Sequence, residues 1–148
     1  MTDIQSHITS ITIDAPAEQV FAFMSDPEKM DRWSFGTWKT KVQHDGLIEG
    51  QAIFDGARTL VKIDADPDRF LIDYHLGIAK DRLIPRISLR VVPGPWLDLR
   101  SDQSVLTFIA WRPASMTDAR WRRLTASHEF EAVLLKPLIE KASAQGAD

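Results

Sequence analysis

Closely spaced turn signals divide the stretch from Thr37 to Pro113 into short runs of alternating apolar and polar residues. These signals are Asp-Gly pairs, glycines and prolines at 45–46, 55–56, 66–68, 77 and 93–95. Parallel strands need crossover connections of about a dozen residues or more, and the turns here are too closely spaced for such connections. The pattern therefore predicts a sheet of consecutive antiparallel strands in this part of the chain.

Helical segments flank the predicted sheet in the sequence. After a first strand at His7–Ile13, prolines at 16 and 27 mark the starts of two short helices. At the other end, Ser115–Asp118 fits a capping box, and helical periodicity continues to about Ser143 with Pro137 inside the helix. The predicted strands between these helices are 38–42, 48–54, 58–64, 69–76, 83–92 and 104–111.

This order of elements predicts an α+β domain with a ligand cavity. A curved antiparallel sheet of about seven strands has an apolar concave face, and the C-terminal helix is the element long enough to cover that face. A sheet wrapped around a helix encloses apolar space, which is the default ligand site of a small domain. Since the chain has 148 residues, without repeats or linkers, we expect a single domain over 1–148.

Composition excludes several chemistries. The chain has no cysteine, so it has no disulfide, no thiolate zinc site and no cysteine nucleophile. Its four histidines show no metal-ligand spacing, and His128-Glu129 lacks the second histidine that a zinc-protease motif requires, since Ala132 stands there. We therefore expect neither a metal nor a cofactor.

Charge and hydropathy limit the binding partners and the cellular compartment that we expect for this protein. The net charge of −3 argues against nucleic acid as a partner. No run approaches the ~18 to 20 apolar residues that cross a bilayer, so we expect no membrane insertion. The residues Met1–Ser6 lack the basic and apolar regions of a signal peptide, and the sequence therefore predicts a cytoplasmic protein.

The segment Ile11–Trp33 carries a family resemblance. Pro16 and Pro27 begin its two short helices, and Trp33 stands where it would pack their junction. The segment resembles the opening of the START/Bet v1-like (SRPBCC) superfamily, and in particular its bacterial polyketide cyclase/dehydrase and lipid-transport type proteins. The resemblance implies the helix-grip fold. It fixes no activity, because that superfamily includes lipid and hormone binders, polyketide cyclases, hydroxylase domains and co-chaperone domains.

Three polar side chains are candidates for chemistry. His128 and Glu131 lie one turn apart on the face of the long helix that is expected to meet the sheet, where they can contact each other as an acid/base pair. Tyr74 is the single tyrosine, and a buried phenol needs a polar partner. Solvated groups at a cavity mouth are an alternative reading of the helix pair, so catalysis and ligand contact both stay open.

The candidate ligand-binding residues combine one face of the strands with one face of the long helix. Arg120 lies two turns before His128, where it would meet a ligand carboxylate. The strand register between Phe54 and Ile63 stays open, because a slip of one residue reverses the inward set. The candidate set is Trp38, Thr40, Phe54, Tyr74, Thr107, Trp111, Arg120, Trp121, Leu124, His128 and Glu131.

Three functions fit these features. The favoured one is binding, without catalysis, of a small hydrophobic or aromatic metabolite that resembles a lipid or polyketide. The second, implied by the resemblance, is a cofactor-independent enzyme of cyclase, dehydrase or hydrolase type with His128 as acid/base. The third is a protein-interaction module like the co-chaperone relatives. The expected partners are the small ligand and a second copy of the chain in a homodimer.

Overall fold

The computed structural model of the chain describes residues 5–146. It contains two α-helices, α1 (Ala17–Ser25) and α2 (Asp118–Gly146), and short 3₁₀ helices at Pro27–Arg32 and Gly94–Leu97. The strands are β1 (Ser6–Ile13), β2 (Trp38–Val42), β3 (Ile48–Gln51), β4 (Arg58–Asp66), β5 (Leu71–Gly77), β6 (Ile84–Pro93) and β7 (Ser104–Trp111).

All seven strands form one antiparallel sheet. Their order is β1-β7-β6-β5-β4-β3-β2, so β2 to β7 form a meander and β1 pairs with β7. With two short helices after β1 and one long helix at the end, this is the predicted α+β helix-grip fold, which the structure confirms. Within residues 5–146, no helix is long and apolar enough to span a membrane.

Side chains of three aspartates shape the turns of the meander. Each of Asp45, Asp55 and Asp66 accepts a hydrogen bond from the backbone N–H two residues further on, at 3.0 to 3.1 Å. Gly46 and Gly56 follow two of them with φ values of +84° and +70°, which side chains of L residues rarely allow. The second turn begins earlier than predicted: β3 ends at Gln51, and Phe54 lies in the turn.

The core lies between one face of the sheet, α1 and the C-terminal half of α2. Alternate residues of the strands point into it, as their burial shows. Its fully buried members include Ile13, Val20, Met24, Ile72, Leu89, Leu106, Leu135 and Ile139. The N-terminal half of α2 contributes none of these residues, and it covers the part of the sheet face that the core leaves unfilled.

Candidate functional site

A cavity of about 250 Å³ lies between the sheet and the N-terminal half of α2. Strands β4 to β7 form its floor, α2 forms its roof, and the segments 30–37 and 52–59 contribute to its rim. We call it the α2–sheet cavity. The floor includes Val61, Tyr74, Arg86, Ile87 and Phe108, and the roof consists of Arg120, Arg123, Leu124, Ser127, His128 and Glu131.

A row of aromatic rings forms one wall of the cavity. The ring of Trp33 lies between those of Tyr74 and Phe108, with centroids 6.1 and 6.0 Å away, and the imidazole of His128 follows 5.8 Å from Phe108. The Tyr74 hydroxyl donates a 2.7 Å hydrogen bond to the backbone carbonyl of Met24. Burial, with a contribution from Glu131, raises the pKa of Tyr74 above its usual range. The phenol is therefore a neutral structural donor.

Glu131 is a buried carboxylic acid in the cavity roof. Its side chain is 3% exposed, and Oε1 accepts a 3.0 Å hydrogen bond from the backbone N–H of Phe35. Burial raises its pKa to about 8, although the bond from Phe35 acts in the opposite direction. At neutral pH the group is therefore mostly protonated and has a proton to donate.

His128 stands one helical turn before Glu131 and is 6% exposed. Its Nδ1 is buried and has no hydrogen-bond partner within the described chain. Burial is the main reason that its pKa falls to about 4; nearby His7 and Arg86 add to the effect, and Glu129 opposes it. The imidazole is therefore neutral at physiological pH and able to accept a proton.

Arg86 brings a positive charge into the floor of the cavity. Tyr74 pairs with Ile87 and His75 with Pro85, so Arg86 has no opposing residue on β5 and forms a β-bulge. Both Arg86 and its neighbour Ile87 line the cavity, although regular alternation would send one of them to the outer face. The bulge thus redirects the guanidinium toward the interior.

Exposed arginines surround the cavity mouth. Arg120, Arg123 and Arg58 contribute to its lining, and the Arg123 guanidinium lies over the ring of Phe54 at 5.5 Å from the centroid. Arg58 is neutralised, because its Nε donates to Glu49 at 2.7 Å. Asp55 also lines the cavity, but positive side chains outnumber it at the mouth, although the chain as a whole is negatively charged.

The structure brings six of the sequence candidates together in this cavity and places five elsewhere. Phe54, Tyr74, Arg120, Leu124, His128 and Glu131 line it. Trp38, Thr40, Thr107, Trp111 and Trp121 lie outside the lining. On β7 the reason is strand parity: Leu106, Phe108 and Ala110 are buried, whereas Thr107 bonds Ser10 across the outer face at 2.8 Å and Trp111 is 41% exposed.

Sequence reasoning missed Arg86, Trp33 and Phe108 as cavity residues. Proline cannot donate to a ladder and within strands is confined to edges and bulges, so Pro85 was the available signal that β6 departs from strict alternation. For Phe108 no signal was available, since apolar residues occupy both parities of β7. Among residues 5–146, no group of three or more histidine, aspartate or glutamate side chains is placed to hold a metal ion.

The curved sheet, the long helix and the cavity between them define a helix-grip protein. Residues 6–95 match the model of the family described as polyketide cyclase / dehydrase and lipid transport. The match covers more than half of the chain, and the protein belongs to this family. A comparison with curated proteins gave no match.

Solved structures with the same fold share little sequence with this chain. The Zhui aromatase/cyclase from a Streptomyces species has a TM-score of 0.65 at 17% identity, covering 97% of this chain and 96% of that one. The Aha1 dimer from Colwellia psychrerythraea has a TM-score of 0.65 at 15% identity, covering 91% of this chain and 96% of that one. A START superfamily protein from Mycobacterium smegmatis has a TM-score of 0.57 at 15% identity, covering 95% of this chain and 98% of that one. At these identities the likeness shows the fold alone.

Proposed function

We propose that this protein binds a small hydrophobic or aromatic metabolite in the α2–sheet cavity. The observation that carries the proposal is the cavity itself, about 250 Å³ beside a well-packed core. An open, mostly apolar space of this volume between a sheet and a helix is the usual setting of a small-molecule site. The row of rings from Tyr74 to His128 supplies a flat wall for an aromatic or alicyclic body.

Thermal unfolding with neutral probes, naphthalene-2-carboxamide and 1-decanol, tests this proposal. A ligand present at about 100 times its Kd adds about 2.7 kcal/mol of stability, which raises the Tm of a domain of this size by roughly 5 to 10 °C. Tryptophan fluorescence, to which Trp33 in the wall contributes, reports binding of the naphthyl probe. An unchanged Tm with both probes, together with unquenched fluorescence for the naphthyl probe, would contradict the proposal.

A pair of variants on α2 separates cavity binding from adsorption to the surface. Leu124→Trp enlarges a half-buried side chain in the cavity roof, and Val133→Trp makes the same change on the exposed face of the same helix. We expect L124W to abolish the Tm shift and V133W to retain it. Equal shifts in both variants would place the bound probe outside the cavity.

A second function, acid/base catalysis, is supported by the opposite pKa shifts of His128 and Glu131. Environments that push the pKa values of neighbouring groups apart assign a base and an acid, and here they leave His128 neutral and Glu131 protonated. In a dehydration, His128 would take the proton from the carbon next to a ketone while Glu131 protonates the departing hydroxyl. Water leaves, and the proton then returns from His128 to Glu131. This role corresponds to the dehydrase part of the family description.

The probe for this activity is a β-hydroxyketone that carries a phenyl ring, whose dehydration gives a conjugated, ultraviolet-absorbing enone. We expect His128→Ala to lower kcat by about 100-fold or more, as loss of a general base does. The matched control is His44→Ala, which removes an exposed histidine outside the cavity lining. Equal turnover by H128A and the native chain would exclude His128 as the base.

The interaction module and the homodimer stay predictions. A module without a ligand is expected to have a filled core, and the α2–sheet cavity does not support that expectation. For the homodimer, the relevant precedent is the Colwellia structure, which is a dimer. Sedimentation equilibrium on this chain measures its mass in solution directly.

A further inference from the structure

Arg86 is an unneutralised cation in an otherwise largely apolar space. It is half-buried, and its Nη1 is shielded from solvent and has no hydrogen-bond partner within the described chain. A long side chain normally keeps its charged end in water, but this guanidinium is turned inward by the β-bulge. A buried donor without an acceptor is unfavourable, so the site is suited to an anionic acceptor that also neutralises the guanidinium.

No acidic side chain of the cavity supplies that neutralisation. The carboxyl group of Glu131 binds the backbone of Phe35, and burial keeps it protonated at neutral pH. Asp55 accepts its hydrogen bond from the backbone of Ala57. Across residues 5–146, the ion pairs involve neither Arg86 nor the mouth residue Arg120. Burial, together with the nearby positive charge of Arg120, lowers the pKa of Arg86.

The geometry points to a ligand with a carboxylate head group: we infer that Arg86 anchors this carboxylate in the α2–sheet cavity and that Arg120 assists at the mouth. The inference rests on the proposed binding function and names its ligand class, an aromatic or aliphatic carboxylic acid. A guanidinium matches a carboxylate with two parallel hydrogen bonds. The apolar body of the ligand then lies along the rings of Trp33 and Phe108.

A carboxylate fits this site better than a phosphate monoester. Of the four arginines that the described chain contributes to the lining, Arg86 alone is half-buried, whereas Arg58, Arg120 and Arg123 are exposed. The interior charge to be neutralised is therefore a single positive charge. A carboxylate carries one negative charge, whereas a phosphate monoester carries nearly two at neutral pH. The second phosphate charge would have to be desolvated without a buried partner.

Calorimetric titration with two probes of nearly the same shape tests the inference. Naphthalene-2-carboxylate and naphthalene-2-carboxamide differ in charge and share the apolar body. We expect the carboxylate to bind the native chain at least 10-fold more tightly. Arg86→Met keeps the length of the side chain and removes its charge, and should weaken carboxylate binding by about 10- to 100-fold while leaving the amide within about 3-fold.

Three further variants serve as comparisons for R86M. Arg90→Met makes the same change on the same strand at an exposed position outside the lining and should leave both affinities unchanged. Arg86→Lys keeps the charge without the planar fork and should fall between R86M and the native chain. Arg120→Met should weaken carboxylate binding less than R86M does. These variants keep the test valid even where R86M alone lowers stability.

The outcomes separate this inference from the proposed function. If the amide binds and the carboxylate binds no more tightly, the ligand class is wrong and the cavity function stands. If R86M and R90M change carboxylate affinity equally, the anchor is wrong. If 2-naphthyl phosphate binds more tightly than the carboxylate, the site is selective for phosphate and the carboxylate assignment fails. If neither carboxylate nor amide binds, the inference is contradicted, and the proposed function is contradicted as well if 1-decanol also leaves the Tm unchanged.

Discussion

At the scale of single residues, the carboxyl group of Glu131 is buried in the folded chain and ionises freely in the unfolded chain. Its pKa is about 8 in the folded state against an ordinary value of 4.5. The folded chain therefore holds a proton that the unfolded chain has lost between these pH values. The free energy of unfolding falls as the pH rises through that window, because deprotonation favours the unfolded state.

Glu131→Gln removes this dependence and keeps the acceptor for the Phe35 backbone N–H. We expect E131Q and the native chain to have similar Tm values near pH 4. From about pH 4.5 to 8 the native chain should lose stability relative to E131Q, and the difference should reach a few kcal/mol at the upper end. The control for E131Q is Glu28→Gln, which changes an exposed glutamate outside the cavity lining. A constant difference between E131Q and the native chain at all pH values would contradict the argument.

Helical spacing was sufficient to place His128 and Glu131 on the inner face of α2 before the structure was considered, because the period of an α-helix is fixed. The same reasoning could not find Arg86. Strict alternation along β6 groups it with Ser88 and Arg90 on the outer face, and the β-bulge that reverses it arises from pairing with β5. Local periodicity does not predict long-range strand pairing of this kind.

At the scale of secondary-structure elements, Gly50 determines how closely β3 approaches the segment before β2. A Cβ built at Gly50 would lie 2.7 Å from Cγ2 of Thr37 and 2.9 Å from the backbone oxygen of Trp38. The second atom cannot rotate away, so the strand itself would have to shift. Thr37 lines the cavity, and this contact therefore couples sheet packing to the shape of the rim.

We expect Gly50→Ala to lower the free energy of unfolding by about 1 to 3 kcal/mol, as overpacking of a buried site does. Gly36→Ala is the matched control, since a Cβ there has no heavy atom within 4 Å and Gly36 is not in the left-handed region. Urea denaturation of both variants, with the midpoint and slope compared, measures the effect. Equal stabilities for G50A and G36A would show that β3 can move without cost.

The elements were predictable where local chemistry fixes them. Asp-Gly and Asp-Pro turns separate the strands, Pro16 stands at the N-cap of α1, and Pro27 begins the first 3₁₀ helix. The end of β3 was not predictable, because residues 52–54 continue an apolar run. Backbone bonds from Ala52 to Ala57 and from Ile53 to Phe35 take them out of the sheet. Which residues of β7 point inward was also ambiguous, because apolar residues occupy both faces of that strand.

At the scale of the whole molecule, the sign of the charge differs between the surface and the site. The chain carries a net charge of −3, and its cavity mouth carries Arg120 and Arg123, which form no ion pair within residues 5–146. A basic cleft on an acidic protein concentrates field lines at the cleft, which attracts anions there and repels them elsewhere. Net charge alone, read from composition, would have argued against an anionic ligand.

This arrangement predicts a salt dependence for association with naphthalene-2-carboxylate. Salt screens charges over about 10 Å at 0.1 M, so the association rate constant should fall by about 10-fold between roughly 0.01 and 0.5 M NaCl. Naphthalene-2-carboxamide should show no comparable change. Stopped-flow measurement of tryptophan quenching gives both rate constants.

Variants at the mouth assign the steering to particular arginines. The double change Arg120→Met with Arg123→Met should flatten the salt dependence for the carboxylate. Arg69→Met removes an exposed arginine in the turn between β4 and β5, outside the cavity lining, and should leave the slope unchanged. If R69M flattens the slope as much as the double variant, the attraction comes from the charge of the whole chain. A slope that only the double variant flattens locates the field at the cavity mouth, where the ligand enters.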